Sequence, residues 1–480
     1  MALVDMLNAA PQCDLLEIRL DRFGKSPDLG DIFARKPKPI IMSCRRPQDG
    51  GQWDGSEDER LALLRQCIIS KADYVEIELD VADQIRPFPP AKRVIAYTNL
   101  EETPGDIAEI YAEALTKKPD VIKLTTLART PEEAWPLVQL LAKPPVPTVV
   151  VGLGKPGVML TMLCRKIGAP WAYAALEKGM EAYPDQPTVN DLLTIYHYGS
   201  VGRQTRFVGV TGFGERETTT VAVLNAAFAH FNLPARCLPL GVGNVKHFRK
   251  ILDAVKIAGV AIDAENRTTL VEIATESDPS AAEAGAADVL RSKGEGWKAY
   301  STVIKAQLTA LEAALRAKFP VDEPLRGRVV MVVGVSARAR TLAEAIMQRG
   351  GAVIIGSHDR NAAHEIAQAL ECRFVQFEAI YSTMHDVLVV CDEEPGPARG
   401  RKAETVGVHA GYLKSGMTVM DLTAPLTSPL IREAALRGCR VVTPRELLLG
   451  QLELQAKLLS GKEVPREVLE AALPPAHEEE

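Results

Sequence analysis

No histidine precedes position 197 in this chain of 480 residues; all eight lie from there onward. The first 196 residues therefore lack imidazole, the side chain that titrates nearest neutrality. The eight cysteines, at 13, 44, 67, 164, 237, 372, 391 and 439, form no C-x-x-C pair. Scattered thiols of this kind argue against a metal framework and fit a reducing cytoplasm. No apolar run reaches the roughly 18 residues of a membrane span, and no signal-peptide pattern follows Met1. Lys and Arg never gather into a block, and the formal charge is −6 with a pI of 5.9. That balance argues against nucleic acid or an anionic membrane as the main partner.

What is present is ordinary core material: 46% of residues are hydrophobic, 25% are charged, and mean hydropathy is −0.01. At roughly 150 residues per domain, the length predicts about three domains of a soluble globular protein. Over the first 200 residues, short β-rich runs alternate with helical patterns. The runs are LLEIRLD (15–21), PIIMSCR (39–45), YVEIEL (74–79), RVIAYT (93–98), DVIKLTT (120–126), TVVVGLG (148–154) and WAYAAL (171–176). Such alternation predicts parallel strands with crossover helices, arranged as a β/α barrel. Seven runs fall one short of a barrel's eight, and ALVDMLNAA ahead of the first reads as a helix. The barrel is therefore expected to lack its first strand, being open there unless the chain starts late. YHYGSVGRQTR (196–206) reads as a linker. A second α/β region begins at FVGVTG (207–212). RVVMVVGVSARARTLAEAIMQRGGAVIIG (328–356) then has the strand, turn, helix, strand order of a Rossmann-type unit. The tail PPAHEEE is expected to be disordered.

Charged side chains gather at the carboxyl ends of the early runs, where a β/α barrel carries its active site. They are Glu17, Arg19, Asp21, Arg45, Glu78 and Lys123. Any one of them alone reads first as solvation of the barrel rim. Lys123 stands apart because it interrupts the apolar DVIKL. A lysine among apolar neighbours holds its proton less firmly and can form a Schiff base, or it can snorkel to water.

EIRLD (17–21), SCR with GG (43–51), VEIEL (75–79), AYTNLEETP (96–104), VIKL (121–124), GKPGV (154–158) and YPDQ (183–186) together resemble type I 3-dehydroquinate dehydratase. The likeness covers nearly all of residues 1–190. It implies a cofactor-free barrel in which Lys123 forms an iminium with the substrate ketone. Glu17, Arg19, Arg45, Glu78 and Gln186 would contact the substrate. It also implies departures: Thr98 stands in the place of the family's proton-shuttling histidine. Leu160 and Thr161 replace a Ser-Arg pair whose arginine grips the substrate carboxylate. A threonine hydroxyl is no base near neutral pH, and loss of a general acid–base costs about 10²–10⁴-fold. Dehydratase turnover is expected to be absent or very slow.

From about residue 206 the chain resembles shikimate dehydrogenase, in the order of the known fusion of the two enzymes. The likeness rests on GFGERETTTVAVLNAAF (212–228), the Rossmann-type unit and VMDLTAPLTSPLIREAALRGCRVVTPRELLLGQLELQ (419–455). It implies that Thr218 and Thr220 replace two serines on the substrate carboxylate, positions that helix capping also explains. Gln451 would contact the substrate. Arg267 stands at the family's catalytic lysine and Tyr300 at its aspartate. Arginine keeps its proton past pH 12, so these two are either a substitute pair or unrelated surface residues. In the dinucleotide turn only Gly334 of the glycines survives, and Ser336 adds bulk. Arg338 and Arg340 offer phosphate contacts, and Asp359 is placed to grip a ribose diol, with Arg360 close by. The implied cofactor is NADP or NAD; a Rossmann domain kept for packing alone is the other reading.

The expected architecture is α/β: a barrel over 1–198, a substrate domain over 206–324 completed by 446–473, and a Rossmann-type domain over 325–445. Three functions fit. One is a working fusion of dehydratase and shikimate dehydrogenase acting on small shikimate-type carboxylates. Another is a non-catalytic homologue that binds a ligand or serves as a scaffold. The third is an enzyme of altered chemistry around Lys123. A cytoplasmic location is expected, with no metal, nucleic-acid or membrane partner.

Overall fold

The computed structural model describes residues 2–24, 27–317, 321–392, 407–423 and 428–474, so the tail from residue 475 on lies outside the described residues. The chain divides into two compact units, residues 1–258 and 259–480.

In the first unit, the helix Ala2–Ala9 precedes β1 (Leu16–Arg19), β2 (Ile40–Ser43), β3 (Tyr74–Glu78), β4 (Lys92–Thr98), β5 (Val121–Thr126) and β6 (Thr148–Gly152). These six strands form one sheet in chain order, every neighbouring pair parallel. β2, β5 and β6 are buried at every residue, which is why they read as nearly unbroken apolar runs. Helices at Glu57–Ile69, Ile107–Thr116 and Pro131–Leu141 connect β2 to β3, β4 to β5 and β5 to β6, a 3-10 segment at Leu79–Gln84 lies between β3 and β4, and Val158–Ile167 follows β6. A capping box between Ser56 and Glu59 fixes the start of the first of these. Since the strand order never reverses, each crossover steps the same way. That keeps the helices on one face and curves the sheet around the other, as in part of a barrel.

The seventh run, 171–176, is not a strand. Its one ladder contact is an isolated bridge between Ala175 and Thr188. Trp171 and Tyr173 pack instead on Val94, Val121, Val149 and Val151, so aromatic burial takes up the apolar content that suggested a strand. Further on, β7 (Arg206–Thr211) and β8 (Ala235–Leu240) pair in parallel, joined by the helix Glu215–His230.

The second unit holds β9 (Gly259–Ala261), β10 (Glu276–Ser277), β11 (Val289–Lys293) and β12 (Gly296–Tyr300). β11 and β12 form an antiparallel hairpin flanked by β9 and β10. It also holds an all-parallel sheet of β13 (Val329–Val333), β14 (Ala352–Ser357), β15 (Arg373–Gln376), β16 (Val387–Val390), β17 (Thr418–Asp421) and β18 (Arg440–Val442). The spatial order is β15-β14-β13-β16-β17-β18. This is the order of a doubly wound dinucleotide-binding fold, with its switch point between β13 and β16.

The GKPG turn after β6 brings backbone against backbone. A Cβ on Gly152 would lie 2.5 Å from Gly157 Cα, and one on Gly157 would collide with the Gly152 carbonyl. Gly157→Ala is expected to destabilise the first unit by about 3 kcal/mol, at the upper end of overpacking costs. Gly105→Ala, in open space, is expected to change stability by no more than about 0.5 kcal/mol. Urea unfolding followed by tryptophan fluorescence checks the pair; equal midpoints would show that the close approach constrains nothing.

Candidate active site

Lys123 sits in the middle of β5, only 2% exposed. Its Nζ donates to Glu76 Oε2 at 2.7 Å and lies 4.4 Å from the centre of the Tyr173 ring. Glu76 Oε1 accepts from Arg45 Nε at 3.0 Å. Arg45 Nη2 donates at 2.5 Å to Glu17 Oε1, which also accepts from Ser43 Oγ at 2.7 Å. Two cations and two carboxylates thus alternate in one buried chain. Beside it, Arg19 forks onto Asp21 at 2.6 and 2.9 Å, and Arg19 Nη1 is buried with no hydrogen bond. Asp21 accepts from the backbone N–H groups of Arg45 and Gln52, which fixes the loop carrying the Arg45 guanidinium.

Burial by itself would raise the Glu17 carboxyl. Arg45, Lys123 and the Ser43 hydroxyl outweigh it and hold that carboxyl at about 2. For Lys123, burial first and the Arg45 charge second lower the pKa, against the pull of Glu76 and Glu17. The neutral amine, which is the form that attacks a carbonyl, is therefore more accessible than in an exposed lysine.

Glu76, rather than Glu78, bonds Lys123. Glu78 closes β3 and enters a 3-10 turn, where the fully buried Arg60 donates to it at 2.7 Å and also to the Cys44 carbonyl. Burial raises the Glu78 carboxyl to about 7 in spite of that cation. Thr98 ends β4 in register with Thr125. Gln186 accepts from Ala182 N at 2.7 Å, closing its own loop. Leu160 and Thr161 are buried in the helix Val158–Ile167, with Thr161 Oγ1 turned back to the Gly157 carbonyl. Glu76 and Tyr173 are the members that sequence reasoning misses. The first is masked by a second glutamate at the strand end, the second by a run that reads as a strand.

Thr218 and Thr220 lie inside the helix Glu215–His230, bonding back to the Gly214 and Arg216 carbonyls at 3.0 and 2.9 Å. The N-cap is Gly214, so neither threonine caps the helix.

In the second unit a carboxylate unmarked in the sequence, Asp288, gathers the donors. It accepts from Thr302 N at 2.7 Å, from Thr302 Oγ1, from Gln451 Nε2 at 2.8 Å and from Gln455 Nε2 at 3.2 Å. Asp288 N donates to the Tyr300 carbonyl and Ala287 N to the Arg267 carbonyl. Backbone bonds thus hold Arg267 and Tyr300 against the Ala287–Asp288 step, while Gln451 faces Asp288.

After β13 the chain turns through Gly334, at φ +124°, into the helix Ala337–Gln348, which is N-capped by Ser336. The carboxylate of Asp392, just beyond β16, accepts from Ser336 N at 2.8 Å. Arg338 donates to the carbonyls of Cys391 and Leu422 and lies 3.8 Å from Asp392. Arg340 is exposed, and Asp359 caps the helix Arg360–Ala369 through Asn361 N and Ala362 N. A dinucleotide diphosphate needs open backbone N–H groups at this turn and no competing anion. The residues present do not fit that group, because Asp392 occupies the turn.

Residues 2–202 match the family model of type I 3-dehydroquinase. The chain is 26% identical over 475 residues to the chloroplastic bifunctional 3-dehydroquinate dehydratase/shikimate dehydrogenase of Arabidopsis thaliana, covering 95% of this chain and 79% of that protein. It is 30% identical over 184 residues to the 3-dehydroquinate dehydratase of Methanopyrus kandleri, covering 37% of this chain and 84% of that one. The solved structure of dehydroquinate dehydratase and shikimate dehydrogenase from S. pombe AroM aligns over 97% of this chain and 96% of its own. The identity there is 16% and the TM-score 0.46. The chain is thus homologous to the fused dehydratase–dehydrogenase proteins, and through residues 2–202 it belongs to the type I 3-dehydroquinase family.

Proposed function

We propose that the first unit is a lysine-imine site for a small keto-carboxylate of the 3-dehydroquinate kind, able to condense with its ligand but slow in the dehydration that follows. The observation that carries this reading is the buried Lys123 amine, held between the Glu76 carboxylate and the Tyr173 ring. Condensation joins Nζ to the ketone carbon and expels the ketone oxygen as water, leaving a protonated imine with Glu76 as counter-ion. Arg19 Nη1, buried and unbonded, offers a charged donor to the ligand carboxylate. The next step needs a base to remove a proton from carbon. Glu17, held at about 2, is a poor one, and burial keeps the Tyr173 hydroxyl protonated.

The rival reading, ligand binding without any chemistry, is favoured by Leu160 and Thr161, which put no cation in the helix Val158–Ile167 at the place expected for a carboxylate grip. The division into a barrel over 1–198, a substrate domain over 206–324 completed by 446–473, and a Rossmann-type domain over 325–445 is part of the proposal. So is a cytoplasmic location, supported by eight unpaired thiols.

Incubation with 3-dehydroquinate and borohydride is expected to leave one reduced adduct on Lys123, seen by peptide mass spectrometry and absent from Lys123→Met. Product absorbance is expected to rise little or not at all. An unmodified Lys123 would sink the imine, and rapid complete conversion would sink the arrest.

Trapping requires the neutral amine, so its rate rises with pH through the Lys123 pKa. Half-maximal trapping is expected below pH 10.5, the ordinary lysine value. Glu76→Gln removes an anion that raises this pKa, so the midpoint should fall further. A pH profile that stays in place or moves upward would contradict the assignment of Glu76 as the counter-ion.

A further inference from the structure

We propose that the Rossmann-type turn of the second unit is closed by this chain's own carboxylate, Asp392, and so excludes the diphosphate of a nicotinamide dinucleotide. β13 and β16 are neighbours with Val333 in register with Val390, and Cys391 N bonds to the Val333 carbonyl. Asp392 therefore leaves β16 alongside Gly334, at the carboxyl ends of the two strands that flank the switch point. That crevice is where open α/β sheets seat dinucleotides.

Seating requires a backbone N–H aimed at phosphate, a gap the size of a missing side chain, and no negative charge. Asp392 bears on all three. The Ser336 N–H donates to Asp392 Oδ2 at 2.8 Å. The space that a Cβ on Gly334 would enter holds the same carboxylate. Arg338, the nearest cation on the helix, is held by the carbonyls of Cys391 and Leu422 with Asp392 at 3.8 Å. An arriving diphosphate would have to displace one anion and then remain beside it, and like charges at such range repel. Asp392 belongs to a different unit from Lys123, and closure of the turn does not depend on imine formation.

The full-length protein and its Asp392→Asn and Asp392→Ser variants can be titrated with NADPH and with NADH, following nucleotide fluorescence and binding heat. The asparagine keeps the shape and an acceptor for Ser336 N–H, and circular dichroism confirms that each variant is folded. The unaltered chain is expected to show no saturation up to about 1 mM. At least one variant should bind one of the nucleotides with a Kd at least about tenfold below that. Saturable micromolar binding by the unaltered chain overturns the proposal, and so does failure of both variants to bind more tightly.

Discussion

Glu17, Arg45, Glu76 and Lys123 lie where none of them can be solvated freely, so each must be satisfied by the others. Removing one partner of such a pair costs about 3–5 kcal/mol, because the remaining charge is stranded. Alternation meets the requirement: each internal member bonds to charges of opposite sign, and Ser43 completes the outer end at Glu17. The arrangement ties charge to sheet register, since a one-residue slip of β3 would carry Glu76 to the opposite face. The six parallel strands are thus held to one alignment by electrostatics as well as by their apolar runs. A protonated imine on Lys123 would fit this chain of charges. It keeps the sign of the ammonium it replaces but spreads it over carbon and nitrogen, so it gives up less hydration on burial while keeping Glu76 as counter-ion. The cations that hold Glu17 near 2 also make it a weak base, which is why the proposed imine would form here more readily than it would lose a proton from carbon.

The second unit applies the same rule to different ends. Asp288 is fully buried and draws two glutamines and a threonine around it. Asp392 draws the backbone of the Gly334 turn. In both places a carboxylate is satisfied by donors of the chain itself. Buried anions are tolerated only when hydrogen-bonded, which is why each of these carboxylates gathers donors around it.

Much of this was legible in the sequence. β1 to β6 coincide with the first six β-rich runs, most plainly at β2, β5 and β6, since strands covered on both faces must be largely apolar. Lys123 is visible as the one charged side chain in these three fully buried strands. The strand, turn, helix, strand unit beginning at Arg328 is found as β13, the helix Ala337–Gln348 and β14. What could not be read is which carboxylate meets which cation. VEIEL offers Glu76 and Glu78 two residues apart, and only tertiary placement gives Arg60 to the second and Lys123 to the first. Strand-end charges flag the barrel residues, and the same rule applied to VLVVCD would have flagged Asp392 at the end of β16. Asp288 carries no such signal, since GAADVL looks like the approach to an ordinary strand.

Gly334 shows why a surviving motif residue is weak evidence for the motif's ligand. In a dinucleotide turn, glycine is needed for a tight bend and for close approach of phosphate to backbone. Here the bend remains, at φ +124°, and the close approach is made by Asp392 itself. Any side chain at 334 would strike that carboxylate, so glycine is required with no phosphate in play. Ser336 completes the change: its hydroxyl caps the following helix through Ala339 N, and its own N–H binds Asp392. Both Ser336 groups find their partners within the chain. The turn's one remaining glycine is therefore explained by a contact inside the chain, and the loss of the others is what the removal of a phosphate would permit.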